Sequence, residues 1–253
     1  MLNPLETDQM KFHFEEKDAF SFNELFDFWH LNDGTSSRAT GHWRIHTLKK
    51  QGILQEIKSG WYTLNVRPVY TPSPDKRQLT VEKIIQEKYH LLTYCTWNLN
   101  WLNEFSVHQF PVDNSIVEVE KELVESMIGL LEDNGYTDLG WAVSQHRMQL
   151  TGVKNPIYVL PLSSRAPLTR LPYERFDLSI PSLEKLLVDL YNDSQLFYYL
   201  QGAELERIFS HAIDHYAINY TTLFAYAKRR YKDIAIKEFL HTHFPNLPSI
   251  IYP

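Results

Sequence analysis

The sequence predicts an α+β chain, with an N-terminal winged helix-turn-helix followed by a small α/β domain that ends in a helical C-terminal region. Three observations predict it. Residues 37–64, SRATGHWRIHTLKKQGILQEIKSGWYTL, read as a basic helix, a glycine stop and a two-stranded hairpin. Residues 67–77, RPVYTPSPDKR, carry prolines at 68, 72 and 74 among polar neighbours, which is linker chemistry. Beyond them helix and strand patterns alternate as far as Pro181, after which the patterning is almost wholly helical. The expected organisation is a winged helix-turn-helix over 1–66, a proline-rich linker over 67–77 that restricts movement, and an α/β domain with a helical tail over 78–253.

Residues 4–16 carry a weak helical pattern. From Phe20 to Leu31 the pattern is firm: Phe22, Leu25, Phe26 and Trp29 recur at three- and four-residue spacing, with Ser21 or Asn23 placed to cap. Asn32-Asp33-Gly34 breaks that helix. Ser36 or Ser37 can cap the next one, because a hydroxyl accepts from the free N–H groups of a first turn. At about 100° per residue, Gly41, Ile45 and Leu48 form one inward stripe, and Ala39, Thr40, Trp43, His46, Thr47 and Lys50 point away from it. Arg38 and Arg44 flank the stripe, where long side chains can reach backbone phosphates. Trp43 is large and apolar, and either packs on a neighbouring helix or meets a ligand. Gly52 suits the left-handed residue that ends a helix. ILQEI and WYTL then alternate around the turn Lys58-Ser59-Gly60.

In the larger part, helical spacing over 79–89 leads to a strand at 91–96, a short helix at 98–105 and a strand at 115–120. An amphipathic helix over 121–134 stops at Gly135, and 155–162 is a further strand. Three helical runs follow, SLEKLLVDLYND, GAELERIFSHAIDHY and TTLFAYAKRRYKDIAIKEFL.

Composition narrows the class. The chain has 253 residues, 43% of them hydrophobic and 14% aromatic, enough for a substantial core, and 9 glycines with no low-complexity tract. The single cysteine, Cys95, forbids an intrachain disulfide and reads as a buried structural thiol in a reducing compartment. No secretory leader or apolar run of ~20 residues is visible, so the expectation is a soluble, cytoplasmic protein with no membrane partner. Charge is uneven. Against 25 Lys+Arg and 31 Asp+Glu overall, residues 38–58 hold five basic side chains (Arg38, Arg44, Lys49, Lys50, Lys58) and one acid, Glu56. A basic face on an acidic chain is an electrostatic footprint for phosphate.

Catalytic motifs are sparse. Neither G-x-x-x-x-G-K-[ST], G-x-G-x-x-G nor C-x-x-C occurs. His211 and His215 have helical metal-site spacing beside Asp214 but lack the glutamate of the metalloprotease pattern; His241 and His243 flank Thr242. Glu118 and Glu120 share one face of a strand next to Lys121, which invites comparison with metal-dependent nucleases and nucleotidyltransferases. The order of acids, lysine and turn matches neither, and pairing with arginines or lining of a partner surface is the other reading. Residues 227–232, AKRRYK, form a second basic cluster, read as a solvated helix face or a contact for phosphate or an acidic patch. No metal or cofactor is expected from these patterns.

WRIHTLKKQGILQEIKSGWYTL with its proline-containing linker resembles the AbiEi-type antitoxins of bacterial type IV toxin–antitoxin systems, as do CTWNLNWLNEFSVHQ, IVEVEKELVESM, PSLEKLLVDLYND and FYYLQGAELERIF. The resemblance covers most of residues 20–240, and the segment from Ser182 to Asp189 is its more distinctive part. It implies a transcriptional regulator without catalytic activity, in which the C-terminal domain is required to counteract a nucleotidyltransferase-like toxin encoded next door. It also implies binding to double-stranded DNA at inverted repeats in the protein's own promoter. Carried onto this chain, the DNA-facing set is Ser37, Arg38, Thr40, Trp43, Arg44, Thr47 and Lys50, with Lys58 at the wing. Two other classes stay open: a nucleotidyltransferase-like or nuclease-like enzyme targeted by a winged helix, and a protein-interaction module.

Overall fold

Three hydrophobic core clusters form among the described residues. The computed structural model describes residues 4–35, 37–106, 114–144, 147–148, 156–174, 176–194 and 197–252. The first core belongs to α1 (Pro4–Phe14), β1 (Phe20–Ser21), α2 (Phe22–Asp33), α3 (Arg38–Lys50), β2 (Gln55–Lys58) and β3 (Trp61–Thr63). Met10, Phe14, Phe20, Leu25, Trp29, Ile45, Leu48, Leu54 and Tyr62 fill it. The three strands pair antiparallel in the order β1-β3-β2.

Local chemistry explains the boundaries. Phe20 and Ser21, read as helical from their spacing, instead pair with Tyr62 and Trp61, so α2 starts at Phe22. Of the two candidate caps Ser21 is used: its hydroxyl accepts from Glu24 N at 3.2 Å, and Ser21 N donates to the Glu24 carboxylate at 2.7 Å, a complete capping box. Asn32 and Asp33 do not break the helix as expected but complete it, and Gly34, at φ 71°, is the stop. Gly52, at φ 68°, sits just past α3 as expected. Ser37 holds the cap position of α3 without making a side-chain cap bond, and Ser36 lies outside the described residues.

The predicted linker is a packed strap. Tyr70 is buried against Phe105 and Tyr216. Ala217 N donates to the Pro68 carbonyl at 2.8 Å, and Trp101 Nε1 to that of Ser73 at 3.1 Å. Asp75 accepts from Gln78 N at 2.8 Å and so starts α4 (Lys76–Lys88) three residues earlier than its apolar spacing suggested.

Beyond the strap lie β4 (Tyr94–Asn98), β5 (Ser115–Val119), α5 (Val124–Asp133), β6 (Leu139–Ser144), β7 (Arg147–Met148) and β8 (Ile157–Pro161). They form a mixed sheet in the order β4-β5-β8-β6-β7, parallel between β5, β8 and β6 and antiparallel at both edges. Strand alternation sends Val117, Val119, Ile157 and Val159 to a layer with Val81 and Ile85 of α4 and Met127 and Leu131 of α5. Cys95, Trp97, Ile116 and Tyr158 face the other way. That side is covered by α6 (Leu183–Asn192), α7 (Ala203–His215), α8 (Tyr220–Arg229) and α9 (Asp233–His243). A hairpin of β9 (Leu168–Tyr173) and β10 (Phe176–Pro181) precedes them, tied to the sheet where Ser179 Oγ donates to the Tyr94 carbonyl at 2.6 Å. The molecule is therefore α+β, with a three-stranded winged-helix unit and a three-layer second unit. Among the described residues no helix is long and apolar enough to cross a membrane.

Candidate nucleic-acid interface and buried charge network

The order α1-β1-α2-α3-β2-β3, with β1 closing the hairpin, presents α3 as the second helix of a helix-turn-helix. Gly41, Ile45 and Leu48 turn inward, as their spacing required. A Cβ on Gly41 would stand 3.2 Å from the Phe26 ring and 3.3 Å from that of Phe22, so the glycine lets the two helices meet. The opposite face is open. Ser37, Ala39, Thr40, His46 and Lys50 are exposed, and Trp43 is 52% exposed, so it faces solvent and not a neighbouring helix.

Three predicted contact residues sit differently from expectation. Arg38 is exposed but is drawn back over α2, donating to Asn23 Oδ1 at 2.9 Å with its guanidinium 4.8 Å from the centre of the Phe22 ring. Arg44 is half-buried, 5.5 Å above the Trp29 ring, because its stem completes the cover of the apolar stripe. Lys58 does not project from a free wing. Its Nζ donates to the Ile250 carbonyl at 2.7 Å, while Ser59 N donates to Thr221 Oγ1 at 2.8 Å and Ile57 packs into the second unit's core. Burial, then the charge of Lys237, lowers the Lys58 pKa below its ordinary value. Thr47 is half-buried and bonds the Trp43 carbonyl at 2.9 Å, and Lys49 pairs with Glu56 at 2.5 Å. Ser37, Thr40, Trp43, Thr47 and Lys50 are thus the members of the predicted set not drawn onto α2 or the second unit, and of these Thr40, Trp43, Thr47 and Lys50 share the face of α3 opposite Gly41, Ile45 and Leu48.

The acids of SIVEVE are not a pair. Glu120 lies past the end of β5 and is exposed, whereas Glu118 points into the core. There Glu118 accepts from Lys185 Nζ at 2.6 and 2.8 Å and from Trp97 Nε1 at 2.9 Å. Lys185, wholly buried, also reaches Asp189 at 2.7 Å, one helical turn along α6. Asp189 accepts from the Tyr226 hydroxyl at 2.9 Å and lies 3.3 Å from Arg230. Arg230 closes on Asp193 at 2.7 and 2.9 Å and on Ser163 at 2.7 Å.

Burial works against the Lys185 ammonium, but Asp189 and Glu118 outweigh it and hold its pKa well above the ordinary lysine value. Burial also pushes up the Cys95 thiol, helped by the Glu118 charge, so Cys95 is an inert core residue. Burial raises the Asp193 carboxyl more than Arg230 lowers it. The network was missed in the sequence, although the four-residue spacing of Lys185 and Asp189 was its signal.

A second buried carboxylate also went unread. Glu82 of α4 accepts from the Tyr94 hydroxyl at 2.5 Å, Thr96 Oγ1 at 2.7 Å and Ser179 N at 3.2 Å. The histidines do not converge. His211 and His215 stack face to face at 4.1 Å, which aims their lone pairs past any shared point, and His215 Nδ1 lies 3.0 Å from the His211 carbonyl. His241 meets the Tyr252 ring and His243 lies 3.4 Å from Glu206. Among the described residues no group of three or more His, Cys, Asp or Glu side chains could hold a metal ion. Of the AKRRYK cluster, Arg230 turns inward and Lys228 and Arg229 stay exposed.

A protein-family model described as a family of unknown function (DUF6577) matches residues 40–246, a span from within α3 through the hairpin to just past α9. No curated protein matches the chain.

Proposed function

The chain belongs to the DUF6577 family of unknown function, and from its own geometry we propose that it is a DNA-binding transcriptional regulator that acts by binding and not by catalysis. In this reading it is the antitoxin and autorepressor of a type IV toxin–antitoxin operon, the role its resemblance to the AbiEi-type proteins implies. The observation that carries the DNA reading is the complete winged-helix order with the outer face of α3 open.

The docked turn at Lys58 alters the expected mode of contact. The helix leads, with Thr40, Trp43, Thr47 and Lys50 facing the major groove, and the hairpin serves as a brace. The closure of Glu118 by Lys185 and Trp97 supports the non-catalytic part, since both carboxylate oxygens are already bonded or enclosed.

The test is binding of the full chain to its own upstream DNA, against scrambled DNA of equal length, across a salt series. Specific binding that weakens steeply with salt is expected. Lys50→Ala is expected to reduce the salt slope by about 1 at unchanged sequence preference, and Thr40→Ala to alter preference at one position. Equal affinity for both DNAs in every variant would sink the assignment of α3. The antitoxin role is tested separately, by asking whether the chain restores growth to cells expressing the adjacent gene.

A further inference from the structure

The corner between α8 and α9 is built with a cost. Lys232 N donates to the Ala227 carbonyl at 2.9 Å and Tyr231 N to that of Lys228 at 3.1 Å, the paired bonds of a Schellman turn. That turn holds Tyr231 at φ 56°. Glycine takes this left-handed conformation freely, whereas a bulky side chain is strained there. The chain itself uses glycine in this geometry at Gly34 and Gly52, each just past a helix. Tyr231 is nevertheless 92% exposed, so burial repays none of the strain. Strain kept at an exposed aromatic points to a use outside the fold.

Its surroundings give the use a chemistry. Ile234, three residues on, is 69% exposed. Lys228 and Arg229, three and two residues before Tyr231, are exposed in a chain of net charge −6. Arg230, directly before Tyr231, turns inward to Asp189, Asp193 and Ser163, which fixes the corner to the buried network. The patch is therefore rigid before any partner arrives, and rigidity lowers the entropy lost on binding.

We propose that this corner docks an acidic protein surface carrying an apolar side chain, with Tyr231 and Ile234 as anchors and Lys228 and Arg229 as its charge complement. Tyrosine and arginine are the side chains most enriched at the energetic centres of protein interfaces. Nucleic-acid backbone would satisfy the cations but offers no apolar counterpart to Ile234. The surface lies in the second unit and needs no part of α3.

The experiment titrates the full chain into a short fluorescein-labelled peptide of Glu-Glu-Leu repeats, with duplex DNA of matched charge in parallel. Three proteins are compared: the parent, Tyr231→Gly, and Lys228→Glu with Arg229→Glu. Peptide binding by the parent is expected, weaker by about tenfold in each variant. Tyr231→Gly is expected to melt about 2–4 °C higher, because glycine relieves the turn. A glycine variant that binds the peptide as tightly as the parent overturns the proposal, and so does one that melts lower. Absence of peptide binding by the parent also overturns it. If the charge reversal weakens DNA binding as much as peptide binding, the corner is a phosphate reader and the proposal fails.

Discussion

At the scale of single residues, the hydrophobic interior encloses a few charges that are individually expensive and jointly satisfied. Lys185 has no exposure, and its three close oxygens come from Glu118 and Asp189. Removing one member strands the others in a place water cannot reach, which typically costs about 3–5 kcal/mol. Lys185→Met is therefore expected to destabilise the fold by about that amount in urea melts. Adding Glu118→Leu should return part of the loss, since one abandoned charge is then gone. A loss under about 1 kcal/mol for Lys185→Met would mean that water reaches the network.

Glu82 titrates in the opposite sense to most surface acids. Burial raises its pKa above the ordinary glutamate value, more than the hydroxyls of Tyr94 and Thr96 lower it. The folded state then holds a proton that the unfolded chain has released, so stability falls as pH rises from the ordinary glutamate pKa to the shifted one. Glu82→Gln removes that slope. The stability difference, parent minus variant, should grow in the parent's favour as pH drops through this window. A flat difference would show that Glu82 titrates normally.

At the scale of elements, sequence legibility followed how local the determinant is. Ser21 was readable as one of two candidate caps, and the structure uses it, with Glu24 completing the box. Ser21→Ala should cost about 1 kcal/mol through loss of that box, and an unchanged denaturation midpoint would contradict it. The stripe of Gly41, Ile45 and Leu48 was likewise visible, because a helix imposes its period on the residues themselves. What could not be read depends on distant partners. Phe20 and Ser21 are strand only because Tyr62 and Trp61 lie alongside. The β9–β10 hairpin, with Pro172 and Pro181 and a half-exposed alternation, carries little apolar signal and owes its place to the edge of β4. Gly140, in a strand that went unpredicted, reads as a loop residue until the Tyr158 ring is seen 2.5 Å from where its Cβ would be. For the interface, the helix was legible and the tethering of Arg44 and Lys58 was not, because Trp29 and Ile250 are contacts of tertiary structure.

At the scale of the whole molecule, the two units are joined by specific polar contacts. Arg67 donates to the Ile213 carbonyl through its side chain and to Gln55 Oε1 through its backbone, so one residue of the strap grips both units. Lys58 and Ser59 add two more bonds to Ile250 and Thr221. Such coupling predicts one cooperative thermal transition by calorimetry, in place of two independent ones. Lys58→Ala combined with Arg67→Ala should split that transition; a single peak in this variant would place the coupling elsewhere.

The strap also bears on how this chain can change through descent. A flexible linker allows one N-terminal module to be exchanged for another, since nothing on either side notices the new neighbour. Here the bonds from Ala217 to Pro68, from Arg67 to Ile213 and from Ser59 to Thr221 straddle the boundary, and Tyr70 fills a bed made by Phe105 and Tyr216. A recombination point at the prolines would inherit one half of each pairing and lose the other. The N-terminal unit and the body behind it are bound to evolve as a matched pair.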